Sequence, residues 1–202
     1  MNQTINKERP TLTDFVRLRL KGILDPMGRF LNQMGIAPNT ITLIGLAGHI
    51  IAAYFVATGR MTTGAIFILL LGPVDALDGT MARLLGESSN WGAFVDSVVD
   101  RYSELFIFGG LLYFFITQDS PAGIMAAYLA ASGAILVSYV RARAQSLGYD
   151  LKSGWFSRLE RYLVLVPALV LNLPLAGLII LAAGSHLTAL QRIYVMRAHA
   201  AE

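Results

Sequence analysis

Four aspartates stand inside apolar runs long enough to cross a bilayer, and few folds accommodate that combination. The stretch from Asp75 to Asp100 reads D-A-L-D-G-T-M-A-R-L-L-G-E-S-S-N-W-G-A-F-V-D-S-V-V-D, and apolar runs extend from both its ends. The chain is 55% hydrophobic and 14% charged, with a mean hydropathy of +0.57. Apolar runs of roughly 20 residues specify transmembrane α-helices. The expected fold is an all-α integral membrane protein, since a soluble domain of this length seldom carries so little charge. There is no cysteine, which excludes disulfide frameworks and thiol chemistry. The polar N-terminus, residues 1–15, lacks the apolar stretch of a cleavable signal peptide. The first span is expected to serve as its own insertion signal.

Taken in order, the chain opens with an amphipathic segment, Thr11 to Met34. Phe15, Leu18, Ile23, Leu24, Met27, Phe30, Leu31 and Met34 recur at helical spacing, and Arg17, Arg19, Lys21 and Arg29 supply a cationic side. This predicts an N-terminal interfacial helix on an anionic membrane surface, kinked near Asp25-Pro26. Gly35 to Asn39 is a turn in which Pro38 suits a helix start and Asn39 or Thr40 can cap it. Six transmembrane helices are expected at about 41–58, 63–84, 93–116, 122–140, 162–171 and 175–194. The fourth can run on to Gln145, and the fifth extends toward Trp155. Residues 1–202 form one domain, with 1–36 as the interfacial segment and 37–202 as a six-helix bundle.

The distribution of Lys and Arg sets the orientation. Lys7, Arg9, Arg17, Arg19, Lys21 and Arg29 precede the first span. Arg83, Arg141, Arg143, Lys152, Arg158, Arg161, Arg192 and Arg197 fall on that same side, and Arg60 alone lies in a loop on the other. Both termini are therefore expected in the cytoplasm, in a cell membrane. The small net charge of +3 gives no case for a nucleic-acid partner.

Asp75 and Asp78 are three apart and Asp96 and Asp100 four apart, so each pair shares a helix face. Gly86 to Asn90 reads as a loop between them. A helical hairpin results, with both acid pairs roughly 10–15 Å from the turn at ~1.5 Å rise per residue. Four facing carboxylates repel unless a multivalent cation joins them, and all-oxygen ligation favours Mg²⁺ or Mn²⁺. Gly79 and Gly92 lie on the carboxylate faces and leave room beside the backbone, at ~1 kcal/mol each relative to alanine. Small Ala82 extends this surface, and Arg83 places a fixed positive charge at its mouth, suited to phosphate.

The spacing D-x2-D-G-x2-A-R-x8-G-x3-D-x3-D resembles the signature of the CDP-alcohol phosphotransferases. Every fixed position matches: Asp75, Asp78, Gly79, Ala82, Arg83, Gly92, Asp96 and Asp100. The resemblance implies a membrane enzyme, homodimeric, that uses two metal ions to displace CMP from a CDP-linked donor with an alcohol. It implies Asp75, Asp78, Asp96 and Asp100 as metal ligands, with Asp100 accepting the proton of the attacking hydroxyl. The family's P-N-x-x-T segment matches Pro38-Asn39-Thr40-Ile41-Thr42. With Gly79, Arg83 and Ser89, where relatives have threonine, it is implied to surround the cytidine diphosphate of the CDP-lipid. Without the resemblance, Asn39 and Thr40 read equally well as helix caps.

A second basic cluster lies at the same boundary: Arg141 and Arg143, then Arg158 and Arg161, then Arg192. Taken singly, such arginines read as snorkelling anchors. Contributed by three helices beside a metal site, they suggest an anion pocket for a phosphorylated acceptor. These segments resemble those of actinobacterial phosphatidylinositol-phosphate synthases, which use CDP-diacylglycerol and myo-inositol 1-phosphate. By that resemblance Arg141, Arg143, Arg161 and Arg192 hold the acceptor phosphate. Arg141 stands where a lysine is usual, and Leu159 where a proline is usual. Glycerol 3-phosphate is the alternative acceptor. A rival from another class is an ion-coupled transporter, since intramembrane acids often mark ion paths. A transporter needs a route to both faces, and here Arg60 and Asp119 are the main charges on the far side. His49 and His186 read as packed, hydrogen-bonded histidines. Glu104 reads as an outer partner of the site or a cavity-lining group, Arg101 as pairing with a nearby acid, and Trp91 and Trp155 as interfacial anchors.

Overall fold

The computed structural model describes residues 12–86, 89–151 and 154–200. These residues form seven helices and no strand: α1 (Leu12–Gln33), α2 (Pro38–Ala57), α3 (Met61–Leu85), α4 (Asn90–Thr117), α5 (Pro121–Ser146), α6 (Arg158–Val170) and α7 (Pro174–Ala200). The six expected spans correspond to α2 through α7, and the amphipathic segment to α1. The basic residues Lys7, Arg9 and Lys152, and Glu87 and Ser88 of the hairpin loop, lie outside the described residues.

Local chemistry sets the helix ends. Pro38, Pro121 and Pro174 each open a helix, where the missing N–H costs nothing. Ser89 and Ser120 cap α4 and α5, their hydroxyls accepting from the N–H of Gly92 and Gly123. Gly86 ends α3 in the left-handed region at φ 69°, a conformation glycine adopts without a steric penalty. The start of α2 differs from expectation. Its N-cap is Ala37, with no side-chain cap, because Pro38 takes the first helical position. Asn39 and Thr40 fall inside the first turn and do not cap it. The helix α1 continues through Pro26.

Four helices are long and apolar enough to cross a membrane: α2, α3, α5 and α7. The other two expected spans fall short for different reasons. Asp96, Asp100, Arg101 and Glu104 interrupt the apolar run of α4. The 13 residues of α6 reach about 20 Å at ~1.5 Å each, against a hydrocarbon core of about 30 Å.

The helix α2 packs on α3 and α4, α5 packs on α7, and α6 is wedged between α3 and α7. Small residues allow these close approaches, as lipid-embedded bundles require. Ala52, Ala53, Ala65, Ala126, Ala127, Ala130 and Ala134 are all buried in the main core. A Cβ added to Gly110 would lie 2.5 Å from the carbonyl oxygen of Ala53, so α2 and α4 touch backbone to backbone. A second, smaller core joins Leu24 of α1 to Ile41, Leu77 and Met81. Asn32 donates to the Met81 carbonyl at 3.1 Å, fixing α1 on the carboxylate-bearing end of α3. The apolar Ile23, Met27, Phe30 and Met34 remain exposed on α1. Leu69, Leu70, Tyr113, Tyr128, Leu187 and Leu190 are likewise exposed on the bundle, an apolar exterior that suits lipid.

Candidate active site

The hairpin of α3 and α4 presents Asp75 and Asp78 from one leg and Asp96 and Asp100 from the other. Their charges act on one another: Asp75 and Asp96 both act on Asp78, and both act on Asp100. Asp78 is the most enclosed. It accepts from the Thr42 hydroxyl at 2.6 Å and from the Gly79 N–H at 2.5 Å, so both its oxygens are oriented by local donors. Asp100 also has Arg101 at 3.6 Å, and Arg101 donates to the Ser97 carbonyl.

An arginine outside the hairpin joins the two legs. Arg158, the first residue of α6, donates from Nη2 to Asp75 at 2.8 Å and from Nη1 to Asp100. Its Nε is buried and has no acceptor. Its Nη2 also reaches the Tyr162 hydroxyl at 3.4 Å, and that hydroxyl lies 3.4 Å from Nε2 of the buried His49. His49 Nδ1 is 2.8 Å from the Gly45 carbonyl, which can only accept, so Nδ1 carries the proton and Nε2 accepts from Tyr162. A directed chain thus runs from Asp75 through Arg158, Tyr162 and His49 to the backbone of α2. Gly45 also faces the site directly, since an added Cβ would lie 3.0 Å from Asp75 Oδ1. Among the described residues, no three acidic or histidine side chains stand ready to hold a metal ion. Asp75, Asp78, Asp96 and Asp100 are brought together, but Arg158 occupies the inner faces of two of them.

The residues expected around a donor sit at the near end of this cluster with varied surroundings. The Asn39 amide oxygen lies 3.8 Å from where a Cβ of Gly92 would be, so α2 and α4 meet there across a glycine. Thr40 is exposed on the same turn. Ile41 is different: its side chain is buried in the smaller core, which leaves only its backbone for a ligand. Thr42 is buried and positions Asp78. At Gly79 an added Cβ would meet only Arg83, at 3.4 Å, and Arg83 donates to the Thr80 hydroxyl. The Ser89 hydroxyl is used as the α4 cap.

The basic cluster divides. Arg161 is 3% exposed and forms a two-pronged pair with Glu104, from Nε at 2.9 Å and from Nη2 at 2.7 and 2.8 Å. Its Nη1 donates to the Phe156 carbonyl at 3.1 Å. Glu104 is therefore the counter-charge of Arg161, not a cavity-lining group. Arg192 is buried and donates to the Val137 carbonyl at 2.6 Å, and it feels the charges of Arg141 and Arg161. Arg141 Nε is buried without an acceptor. Arg143 is exposed and bonds to Ser146 in its own last turn. The segment before α6 is docked on this cluster, with Gly154 against the Arg192 guanidinium and the Phe156 N–H donating to Thr188. His186 is hydrogen-bonded to the Leu129 carbonyl at 3.1 Å. Trp91 and Trp155 are both exposed.

The sequence profile of the CDP-alcohol phosphatidyltransferase family matches residues 35–191, which take in the carboxylate hairpin and the basic cluster up to, but not including, Arg192. The chain belongs to this family. Among CDP-alcohol phosphatidyltransferase relatives, the phosphatidylinositol phosphate synthase of Streptomyces avermitilis is 35% identical, over 95% of this chain and 84% of its own. The archaetidylinositol phosphate synthase of Methanothermobacter thermautotrophicus is 31% identical, over 95% and 93%. The crystal structure of Mycobacterium tuberculosis phosphatidylinositol phosphate synthase with CDP-DAG bound superposes with a TM-score of 0.80 at 27% identity, covering 86% of this chain and 93% of that one. The same mycobacterial protein in complex with manganese and citrate gives a TM-score of 0.81 at 27% identity, over 86% and 88%.

The mycobacterial relative is solved with manganese, and the residues present here fit a hard divalent ion. The donor set is entirely carboxylate. The gap between Asp75 and Asp100 is already shaped for a cation, since a guanidinium bridges it. Arg158 was expected at the same end of the bundle as the acids, but its contact with Asp75 and Asp100 was not. The available signal was R-x2-R-Y: Arg158, Arg161 and Tyr162 share one face of α6. Gly45 had no sequence signal, because its role depends on how α2 leans on α3.

Proposed function

We propose that this chain is a membrane-embedded transferase that moves a phosphatidyl group from CDP-diacylglycerol to myo-inositol 1-phosphate, giving phosphatidylinositol phosphate and CMP. The observation that carries this reading is the convergence of the α3–α4 carboxylates with α2 donor-side residues, beside arginines from α5, α6 and α7. The names of the relatives supply the acceptor class, and the CDP-DAG-bound relative supplies the donor.

In this reading Asp75, Asp78, Asp96 and Asp100 hold two Mg²⁺ ions, with Mn²⁺ as an alternative. Ions bound there would supply positive charge to the donor diphosphate and to the departing nucleotide. The chain's own groups do the rest. Asn39, Thr40, the backbone of Ile41, Gly79, Arg83 and Ser89 surround the cytidine diphosphate. Thr42 acts through Asp78, which it orients. Arg141 and Arg192 hold the acceptor phosphate, with Arg143 at the entrance and Arg161 contributing a charge already offset by Glu104. An inositol hydroxyl attacks the lipid-bearing phosphorus in line, its proton passes to Asp100, and the bond to CMP breaks with the electron pair leaving on CMP.

The helices α2 to α7 form the six-helix membrane bundle, with α6 crossing only together with the segment that leads into it from Trp155, and α4 carrying its charges into the cytoplasmic half. The helix α1 lies in the interface with its exposed apolar residues toward lipid. Both termini and the site face the cytoplasm, and the protein works as a homodimer. Purified protein with CDP-diacylglycerol and a panel of acceptors tests the reaction through CMP release. Release dependent on inositol 1-phosphate supports the proposal. Release with glycerol 3-phosphate alone would reassign the acceptor.

A further inference from the structure

The acid cluster contains a cation of its own, and the way it is held bears on how metal enters. Asp75 and Asp100 come from opposite legs of the hairpin, and four carboxylates in that space repel. Arg158 bridges these two acids with separate nitrogens. Its hold is incomplete, because Nε is buried with no acceptor and the Tyr162 contact is long, at 3.4 Å. A guanidinium settled for good would satisfy its buried donors. By contrast, Arg161, one turn along, is fully engaged by Glu104 and the Phe156 carbonyl. One arginine of α6 is therefore a lock between helices, and the other is a removable bridge.

We propose that Arg158 is the resident counter-cation of the carboxylate cluster, closing it when metal is absent and giving up Asp75 and Asp100 when a divalent ion binds. The inference rests on the reading of these aspartates as metal ligands. Arg158 and the ion compete for the same oxygens, so metal affinity is set partly by the strength of the arginine bridge. The Tyr162 hydroxyl, itself held by His49, gives Nη2 a second acceptor besides Asp75, which keeps the guanidinium near the site after displacement.

The test is Mn²⁺ binding to the full chain in detergent, measured by the loss of the free-ion electron paramagnetic resonance signal. Wild type is compared with Arg158→Ala, Arg158→Lys and Arg101→Ala. Arg101 also lies beside Asp100, at 3.6 Å, but does not bridge the acids. Arg158→Ala is expected to bind Mn²⁺ at least about tenfold more tightly than wild type. Arg158→Lys, which keeps the charge but has no fork to span two carboxylates, is expected to fall between them. Arg101→Ala is expected to stay within about twofold of wild type. If Arg158→Ala does not fold, the decision rests on Arg158→Lys. Equal Mn²⁺ affinity in wild type and the Arg158 variants overturns the proposal and leaves the metal site standing. An equal gain in Arg101→Ala also overturns it, because the effect is then general electrostatics. No Mn²⁺ binding by any of the proteins overturns the metal site, and this inference with it.

Discussion

At the scale of single residues, the carboxylates divide by what orients them. Asp78 has a donor on each oxygen, whereas Asp75 and Asp100 are held by an arginine from another helix. All are needed if they share the metal ions. Asp75→Asn, Asp78→Asn and Asp96→Asn are each expected to abolish CMP release, as is EDTA on the wild type; full activity in any one variant with Mg²⁺ supplied removes that residue from the ligand set. The arginines make a finer distinction. Losing a charge-assisted contact to phosphate costs roughly 1.5–3 kcal/mol, or about 10- to 150-fold in the acceptor interaction. Arg192→Ala and Arg141→Ala should raise KM for inositol 1-phosphate by that order and leave CDP-diacylglycerol kinetics close to wild type, in a two-substrate kinetic matrix. Arg161 requires a different experiment, because its partner Glu104 is buried with it. Glu104→Gln strips the counter-charge and is expected to cost about 3–5 kcal/mol of stability, read as a lower unfolding midpoint in detergent. The double variant Glu104→Leu with Arg161→Met removes both desolvated charges and should recover much of that loss. If it recovers stability and keeps wild-type acceptor kinetics, Arg161 is a lock and not an acceptor contact.

At the scale of elements, the hairpin was largely legible in the sequence, because the spacing of its acids and glycines follows helix periodicity. The helix boundaries were legible too, since Pro38, Pro121 and Pro174 punctuate the chain where helices begin. The start of α2 was misread by a residue or two, because Asn and Thr suit a cap as well as a first turn and Pro38 decided between them. What periodicity could not supply was how the helices lean on one another. Gly45 is the clearest case. It sits in the middle of an apolar run, yet α2 brings it against Asp75. The same is true of α6, where the R-x2-R-Y spacing puts Arg158 and Arg161 on one face but does not say that Arg158 meets the acids and Arg161 meets Glu104. The packing makes a direct prediction. Gly45→Ala places a methyl group 3.0 Å from a carboxylate oxygen, so Asp75 must shift. The shift needed is a few tenths of an ångström, so activity should fall measurably but by less than the roughly 100-fold that a misplacement of about 1 Å costs, with an unfolding midpoint near wild type. Activity equal to wild type would mean that the Asp75 side chain can move aside without consequence.

At the scale of the whole molecule, charge asymmetry and the site form one argument. The loops after α2, α4 and α6 are short and lie at one end of the bundle, where Arg60 and Asp119 are the charges. The carboxylate hairpin, the ends of α5 and α7 and the start of α6 lie at the other end, with the arginines. A basic end is retained on the cytoplasmic side during insertion, which is also where nucleotide-linked donors and Mg²⁺ are available. The amphipathic α1 strengthens this reading, because Asn32 and Leu24 fix it at the carboxylate end while its other apolar residues stay exposed. The natural chain has no cysteine, so a single introduced thiol reports its side without background. Arg60→Cys, in the loop after α2, should react with a membrane-impermeant maleimide added to intact cells. Leu147→Cys, exposed just past the end of α5, should react only after the membrane is opened. The two positions lie on opposite ends of the same bundle, so one reversed result alone would signal mixed insertion. If both are reversed, the acid cluster opens away from the cytoplasm, and a reaction that draws on cytoplasmic CDP-linked donors cannot take place there.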